Sequence, residues 1–143
     1  MATPKSFRYK SLMLVDDSPI DNLINQKMIE ASSFAEHIYT FSGAVSALDF
    51  LKNLVRLNGI STDNIPELIF LDINMPILDG FQFLEEFENL NGPNAEIIKE
   101  KTQVVMVSSS INPKDMDRAE KNKYVKKYVN KPLSIKTLDG LTL

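Results

Sequence analysis

The sequence predicts an α/β fold in which five parallel strands form one sheet and helices cover both of its faces. Short apolar runs alternate along the chain with segments whose apolar residues recur every three or four positions, which is the pattern of βαβ units. Three of the apolar runs are continuously apolar, as in central strands, and two mix polar and apolar residues, as in edge strands. With 143 residues the chain is long enough for one domain of this kind.

The first strand and first helix are predicted from an apolar run and a capping signal. Residues 11–15 form the strand, and Ser18 is expected to cap the helix that follows, with Pro19 at its first position and Asp21 completing an S-x-x-D signal. The apolar residues with helical spacing make this helix amphipathic. They are Ile20, Leu23, Ile24, Met28 and Ala31.

The later elements continue the alternation. The remaining strands are predicted at residues 37–41, 68–71, 104–107 and 125–130. The remaining helices are predicted from the apolar positions between 44 and 55, from Phe83 to Leu90, over the mostly polar residues 113–122, and around Ile135, Leu138 and Leu141. Residues 91–94 interrupt the third helix. Asn122 is expected to end the fourth helix in the left-handed conformation that glycine often provides.

The strand compositions predict the order of the sheet. If the first, third and fourth strands are central, with the second beside the first and the fifth beside the fourth, the order is 2-1-3-4-5. This is the order of flavodoxin-like (βα)5 three-layer sandwiches, which bind ligands at the carboxyl ends of the strands where the strand order reverses. Asp16 and Asp17 end the first strand and Asp72 ends the third. Three carboxylates are therefore expected to meet at that point.

The acidic cluster favours a divalent cation. An aspartate before a helix usually caps it or offsets its dipole, and for Asp16 and Asp17 taken alone this is the commoner role. Ser18 already supplies a cap, however, and Asp72 converges from another strand. Unpaired carboxylates would raise one another's pKa values and destabilise the fold. Mg²⁺ or Mn²⁺ would relieve this conflict, since both ions prefer oxygen ligands, and Mg²⁺ commonly bridges to a phosphate.

Two further strand ends supply polar groups at the same edge of the sheet. Lys131 ends the fifth strand, where its ammonium could neutralise a phosphoryl oxygen, and Pro132 restricts the turn that aims it. The alternative is a solvated surface lysine. Ser108 ends the fourth strand and brings a hydroxyl to this edge. For Ser108 an ordinary turn serine is an equally common alternative.

Taken together, these residues resemble the receiver domain of two-component response regulators. The resemblance rests on Val15-Asp16-Asp17, on Asp72 within Leu71-Asp72-Ile73-Asn74-Met75-Pro76, on Asp79-Gly80, on Ser108, and on Tyr128 with Lys131-Pro132. It extends over about residues 9–138 and is specific because its motifs occur in order at successive strand ends. It implies one receiver domain over residues 1–143 with a flexible N-terminus at 1–8, in a single-domain response regulator.

The resemblance also implies a chemistry. Asp72 would accept a phosphoryl group from the phosphohistidine of a sensor histidine kinase or histidine phosphotransfer protein. Asp16 and Asp17 would hold Mg²⁺ together with Asp72 and the backbone carbonyl of Asn74, Asp17 directly and Asp16 through water. The ion and Lys131 would offset charge on the phosphoryl oxygens. Such a protein catalyses its own phosphorylation and autodephosphorylation and is not a conventional turnover enzyme.

The resemblance further implies a conformational switch that couples an upstream phosphodonor protein to a downstream target protein. Ser108 would move toward the bound phosphoryl group and Tyr128 would rotate inward, which is a shift between two packings. A downstream protein target is expected at residues 112–143, within which residues 114–131 carry seven basic and three acidic residues. Kinase pairing is expected to depend on surface residues of the first helix. These include Asn22, Asn25 and Gln26.

Composition excludes several other classes of protein. The net charge of -3 argues against direct DNA binding, and no apolar run reaches the length of a membrane span. A cytoplasmic protein is therefore expected, and the resemblance implies a monomer or a weak phosphorylation-dependent dimer. A flavodoxin-type electron carrier would need a glycine-rich phosphate loop after the first strand, and a Ser-His-Asp hydrolase would depend on the only histidine, His37. The alternative that stays open is a receiver-like interaction module that signals without phosphorylation.

Overall fold

All five strands run parallel in one sheet, in the order β2-β1-β3-β4-β5. The structure is a computed structural model that describes residues 6–143. Its strands are β1 (Tyr9–Val15), β2 (Ala35–Phe41), β3 (Leu68–Leu71), β4 (Gln103–Ser108) and β5 (Val125–Asn130). Its helices are α1 (Pro19–Ala31), α2 (Ala44–Arg56), α3 (Gly80–Glu88), α4 (Ala95–Lys101), α5 (Pro113–Lys121) and α6 (Ile135–Gly140). A single 3-10 turn lies at Thr62–Asn64.

The predicted strand order and three-layer sandwich are confirmed. Successive side chains of a strand point to opposite faces, so each central strand contributes to two separate cores. Met13 and Val15 of β1 join a cluster that includes buried residues of α2, α3, α4 and α5. Leu12 and Leu14 join a second cluster that includes residues of α1 and α6. The continuously apolar strands β1, β3 and β4 are central because both of their faces are covered.

The buried face of α1 differs from the face that apolar spacing predicts. Ile20 and Leu23 are 70% and 55% exposed, and Ile24 is exposed as well. The buried residues of this helix are Asn22, Asn25 and Ile29. The expectation that Asn22 and Asn25 belong to a partner-binding surface is therefore wrong. Asn22 is turned inward because its side-chain amide donates to the backbone carbonyls of Asp16 and Phe41 at the ends of β1 and β2.

Two predictions about the second half of the chain also require correction. The sequence pattern missed α4, so the helix predicted at residues 113–122 is the fifth helix. With seven residues, of which only Ala95 and Ile98 are buried, α4 is too short to show a helical period. Asn122 is not left-handed, since its φ of -81° and ψ of 125° are extended. Its side chain instead accepts a hydrogen bond from the backbone N–H of Tyr124.

The flexible N-terminus expected at residues 1–8 lies largely outside the described residues, which begin at residue 6. The side chain of Arg8 donates hydrogen bonds to the carbonyls of Leu138 and Leu141 at the end of α6. Its guanidinium also lies 4.8 Å from the ring centroid of Phe34. Within residues 6–143 no helix is both long and apolar enough to cross a membrane.

Candidate functional site

Three carboxylates meet at the carboxyl edge of the sheet. Val15, the last residue of β1, pairs with Leu71, the last residue of β3, so the residues that follow these strands emerge side by side. One carboxylate oxygen from each of Asp16, Asp17 and Asp72 lies within 4.8 Å of the others. Asp16 and Asp72 are buried and Asp17 is exposed. The topology thus concentrates negative charge at the position that the strand order predicts.

Both carboxylate oxygens of Asp16 are engaged by hydrogen bonds. Its Oδ1 accepts from the backbone N–H of Ser18 at 2.9 Å, and its Oδ2 accepts from the ammonium of Lys131 at 2.6 Å. Asp16 therefore shapes the turn before α1 in addition to lying in the cluster. By contrast, the carboxylate of Asp17 accepts no hydrogen bond from residues 6–143. Asp17 is the member of the cluster whose oxygens are most available to a ligand.

The environment of Asp72 disfavours its ionised form. Burial, followed by the negative charge of Asp16 and then that of Asp17, raises the pKa of Asp72 to about 6. The positive charge of Lys131 and a hydrogen bond from the backbone N–H of Ile73 act in the opposite direction and do not cancel the rise in pKa. At neutral pH Asp72 is thus mostly ionised, and Lys131 and the Ile73 N–H offset its negative charge only in part. A cation or the loss of its charge would stabilise the site.

Lys131 bridges the ends of several elements. Its ammonium lies 2.6 Å from Asp16 Oδ2, 2.9 Å from Asp21 Oδ2 and 3.6 Å from Asp72 Oδ1. Burial opposes the charge on this ammonium, but the hydrogen bonds to Asp16 and Asp21 raise the pKa of Lys131 above its ordinary value. Its backbone N–H donates to the carbonyl of Ser108 at 2.9 Å, and the peptide bond to Pro132 is cis. These contacts exclude the alternative of a solvated surface lysine.

The residues expected to form the switch are joined through Ser110. The Oγ of the buried Ser108 accepts from the backbone N–H of Ser110 at 3.1 Å. The carbonyl of Ser110 in turn accepts from the hydroxyl of Tyr128 at 2.8 Å and from the side chain of Asn130 at 3.2 Å. Ser110 Oγ donates to Asp115 at the start of α5. Ser110 therefore connects Ser108 to the Tyr128 hydroxyl through two hydrogen bonds.

The donor set fits a hard divalent cation. All three side chains of the cluster offer oxygen, which is the ligand type that Mg²⁺ and Mn²⁺ prefer. The carbonyl of Asn74, two residues beyond Asp72, accepts no backbone hydrogen bond within residues 6–143. Burial, and then the negative charges of Asp16 and Asp17, raise the pKa of Asp72, and the positive charge of a bound cation would oppose this rise.

Sequence reasoning missed two residues that the site uses. Asp21 was expected to complete a capping signal, but its carboxylate bonds Lys131 instead of the Ser18 backbone. Asn22 was expected at the surface, but its Nδ2 donates to the carbonyls of Asp16 and Phe41 and so joins the ends of β1 and β2. A possible signal was the polar pair Asp21-Asn22 in the first turn of a helix that follows an acidic strand end.

Comparisons with known proteins agree with this geometry. The family model described as the response regulator receiver domain matches residues 12–141. The crystal structure of a two-component response regulator from Cytophaga hutchinsonii is 30% identical, with a TM-score of 0.77 and coverage of 91% of each chain. The probable methanogenesis regulatory protein FilR2 of Methanothrix harundinacea is 27% identical over 89% of this chain and 75% of its own length. The response regulator Rcp1 of Synechocystis is 26% identical over 90% of this chain and 81% of its own length.

Proposed function

The chain belongs to the family of response regulator receiver domains, and we propose that Asp72 accepts a phosphoryl group from a phosphohistidine of a sensor histidine kinase or histidine phosphotransfer protein. The observation that carries this proposal is the placement of Asp72 as a buried carboxylate between two further acids, with the Lys131 ammonium 3.6 Å away. The nucleophile, the oxygen ligands for a cation and a fixed positive charge are the components that phosphoryl transfer requires.

The proposed step forms one bond and breaks one bond. A carboxylate oxygen of Asp72 attacks the phosphorus of the donor while the phosphorus–nitrogen bond breaks, and the electron pair of that bond returns to the imidazole nitrogen. The product is an acyl phosphate on Asp72. The attack requires the ionised carboxylate, and with a pKa of about 6 most of Asp72 is ionised at neutral pH. Attack of water on the acyl phosphate regenerates the carboxylate of Asp72 and releases inorganic phosphate.

Other residues of the cluster support this step. Asp17 and Asp72, the backbone carbonyl of Asn74 and, through water, Asp16 would hold Mg²⁺ or Mn²⁺. The bound ion would offset negative charge on the transferred phosphoryl group. Lys131 would offset charge on another phosphoryl oxygen from its position beside Asp72.

The conformational response is proposed to pass from Ser108 to Tyr128. If Ser108 Oγ turns to hydrogen-bond the phosphoryl group, it gives up the bond from the Ser110 N–H. The segment that begins at Ser110 is then free to move, and the bond between the Ser110 carbonyl and the Tyr128 hydroxyl is weakened. Phosphorylation would thereby change the populations of two packings of the β4–α5 segment.

A downstream protein is proposed to contact residues 112–143. Four basic residues of the segment 114–131 form ion pairs, namely Arg118 with Glu85, Lys121 with Asp117, Lys123 with Glu88, and Lys131 with Asp16. Lys114, Lys126 and Lys127 are exposed and have no carboxylate within ion-pair distance in residues 6–143. These three lysines favour a partner with an acidic surface.

The experiment that tests the function uses acetyl phosphate as a small phosphodonor. In the presence of Mg²⁺ the intact mass of the protein is expected to rise by one phosphoryl group. The increase should disappear in Asp72→Asn and on chelation of the metal, and it should persist in Asp49→Asn, which removes an exposed carboxylate of α2. If the folded wild-type protein never gains the phosphoryl group, the chain acts instead as a receiver-like interaction module without phosphorylation.

A further inference from the structure

We propose that Asp21, in the first turn of α1, is a positioning residue that holds the ammonium of Lys131 in the orientation needed at Asp72. This inference rests on the proposed function because it assigns to Asp21 a part in phosphoryl transfer. We assign Asp21 no contact with the reacting atoms. It acts through Lys131, with which it shares a hydrogen bond of 2.9 Å across 110 positions of sequence.

The ammonium of Lys131 lies close to three carboxylates, of which two accept hydrogen bonds from it. An ammonium has three donors in a tetrahedral arrangement. Asp16 and Asp21 engage two of them at 2.6 and 2.9 Å. Asp72 Oδ1 lies 3.6 Å from the nitrogen, which is within ion-pair distance but too far for a hydrogen bond. With two donors held, the third remains available to an oxygen of a phosphoryl group placed at Asp72, whose Oδ1 lies 3.6 Å away.

Asp21 differs from Asp16 in its relation to the acidic cluster. Asp16 belongs to the cluster of three carboxylates, and a cation bound there would draw on its charge and weaken its hold on Lys131. Asp21 lies outside that cluster, and its side chain is 39% exposed whereas that of Lys131 is only 15% exposed. A cation in the cluster would therefore leave the contact between Asp21 and Lys131 as the main restraint on the ammonium.

Capping of α1 does not account for this contact. Ser18 Oγ accepts from the backbone N–H of Asp21, so the helix is capped without the Asp21 carboxylate. A favourable interaction with the helix dipole requires only that an acid lies in the first turn. Neither role requires the carboxylate to reach Lys131 at the end of β5.

The kinetic test compares phosphorylation by acetyl phosphate with Mg²⁺ in the wild type and in Asp21→Ala. We expect the limiting rate to fall roughly 10-fold, the size of effect typical for loss of a residue that orients a functional group, while the half-saturating acetyl phosphate concentration stays the same. In a Lys131→Met background Asp21→Ala should cause no further loss. Glu30→Ala, which removes an exposed carboxylate from the same helix, is expected to leave the rate unchanged.

A second measurement tests the contact without any phosphoryl transfer. Acetic anhydride labels lysine amines, and peptide mass spectrometry reports the rate at each lysine. In Asp21→Ala the labelling rate of Lys131 should rise several-fold, whereas that of the exposed Lys52 should not change. An unchanged labelling rate at Lys131, or an equal loss of phosphorylation rate in the Lys131→Met background, would overturn the inference. If the wild type accepts no phosphoryl group, the proposed function fails and the labelling result still decides whether Asp21 holds Lys131.

Discussion

Asp72 is a carboxylate at a position where its ionisation is unfavourable. Burial and the charge of Asp16 raise its pKa to about 6 from a value of 3.8 in the free residue. The folded protein therefore binds the Asp72 proton more tightly than the unfolded chain does. This linkage contributes stability that is fully present below pH 3.8 and is lost as the pH rises through about 6.

The variant Asp72→Asn tests how much the ionised carboxylate of Asp72 destabilises the folded protein. At pH 7, with divalent cations chelated, we expect it to be more stable than the wild type by at most about 3 kcal/mol, because it removes the unfavourable charge while keeping the shape. The difference in free energy of unfolding, measured in urea, should shrink as the pH falls through about 6 and vanish below about 4. A difference that does not depend on pH would show that the raised pKa of Asp72 is not its source.

The hydrogen bond from the Tyr128 hydroxyl to the Ser110 carbonyl can be tested by removing the hydroxyl. In Tyr128→Phe the Ser110 carbonyl keeps only the donor from Asn130, and we expect a loss of about 1 kcal/mol from one missing hydrogen bond. Hydrogen exchange of the amides at residues 110–112 should accelerate. Tyr39→Phe is the matched control because Tyr39 is exposed on the edge strand β2. Unchanged exchange at residues 110–112 would contradict the link.

The sequence alone predicted the positions of some residues of the candidate site but not the contacts of others. Asp16, Asp17, Asp72 and Lys131 were predictable because they follow strands whose ends must meet at one edge of a parallel sheet. The contact of Asp21 with Lys131 was not, since it depends on how far α1 is rotated about its axis. That rotation follows from the buried amides of the helix, and apolar periodicity does not detect an amide that is buried.

At the scale of the elements, α1 is the main departure from the predicted pattern. Its apolar residues Ile20, Leu23 and Ile24 face outward, and Ile29 is the apolar residue it buries fully. The inward side faces the polar ends of β1 and β2, where Asn22 satisfies two carbonyls. Of these exposed residues, Ile24 lines a crevice together with Asp21 and Lys131.

Paired substitutions in α1 test which face is buried. Leu23→Ser should change the free energy of unfolding by no more than about 0.5 kcal/mol, as is usual for exposed positions. Ile29→Ala should cost about 2 to 5 kcal/mol because it leaves a cavity in the core. Chemical denaturation of both variants measures the two values. A larger loss for Leu23→Ser than for Ile29→Ala would mean that the helix is rotated as apolar spacing predicts.

The start of α3 is packed directly against the backbone of Asp72. A Cβ atom added to Gly80 would lie 2.5 Å from the Asp72 carbonyl oxygen and 3.0 Å from Ile73 Cα. Gly80→Ala therefore requires the backbone to move, and we expect a loss of about 1 to 3 kcal/mol together with slower phosphorylation. Gly140→Ala is the control, because nothing lies within 4 Å of the added atom. Equal stability of the two variants would refute this close packing.

The bounds of the strands were predicted only in part. The bounds of β3 and β5 agree with the predicted ranges 68–71 and 125–130, whereas β1, β2 and β4 extend beyond theirs. The extensions include polar residues such as Lys10, Glu36 and Gln103, which lie within the strands without adding to an apolar run. The seven-residue α4 was missed because tertiary packing of Ala95 and Ile98, more than any local pattern, stabilises it.

At the scale of the whole molecule, the strand order places the site. Since β1 and β3 are neighbours although β2 separates them in sequence, the ends of these two strands open onto the same crevice. The strand compositions indicated which strands are central, because strands covered on both faces are apolar throughout, and the full order came from matching this pattern to the known flavodoxin-like order. The short contacts within the crevice depend on side-chain orientations and required the three-dimensional structure.

The most direct test of the account locates the phosphoryl group on the chain. After incubation with acetyl phosphate and Mg²⁺, borohydride reduces an acyl phosphate of aspartate to homoserine, and peptide mass spectrometry identifies the modified position. We expect homoserine at position 72 and at no other aspartate, including the neighbouring Asp16 and Asp17. Modification at a different aspartate, or none in the folded protein with Mg²⁺ present, would contradict the assignment of Asp72 as the phosphoacceptor.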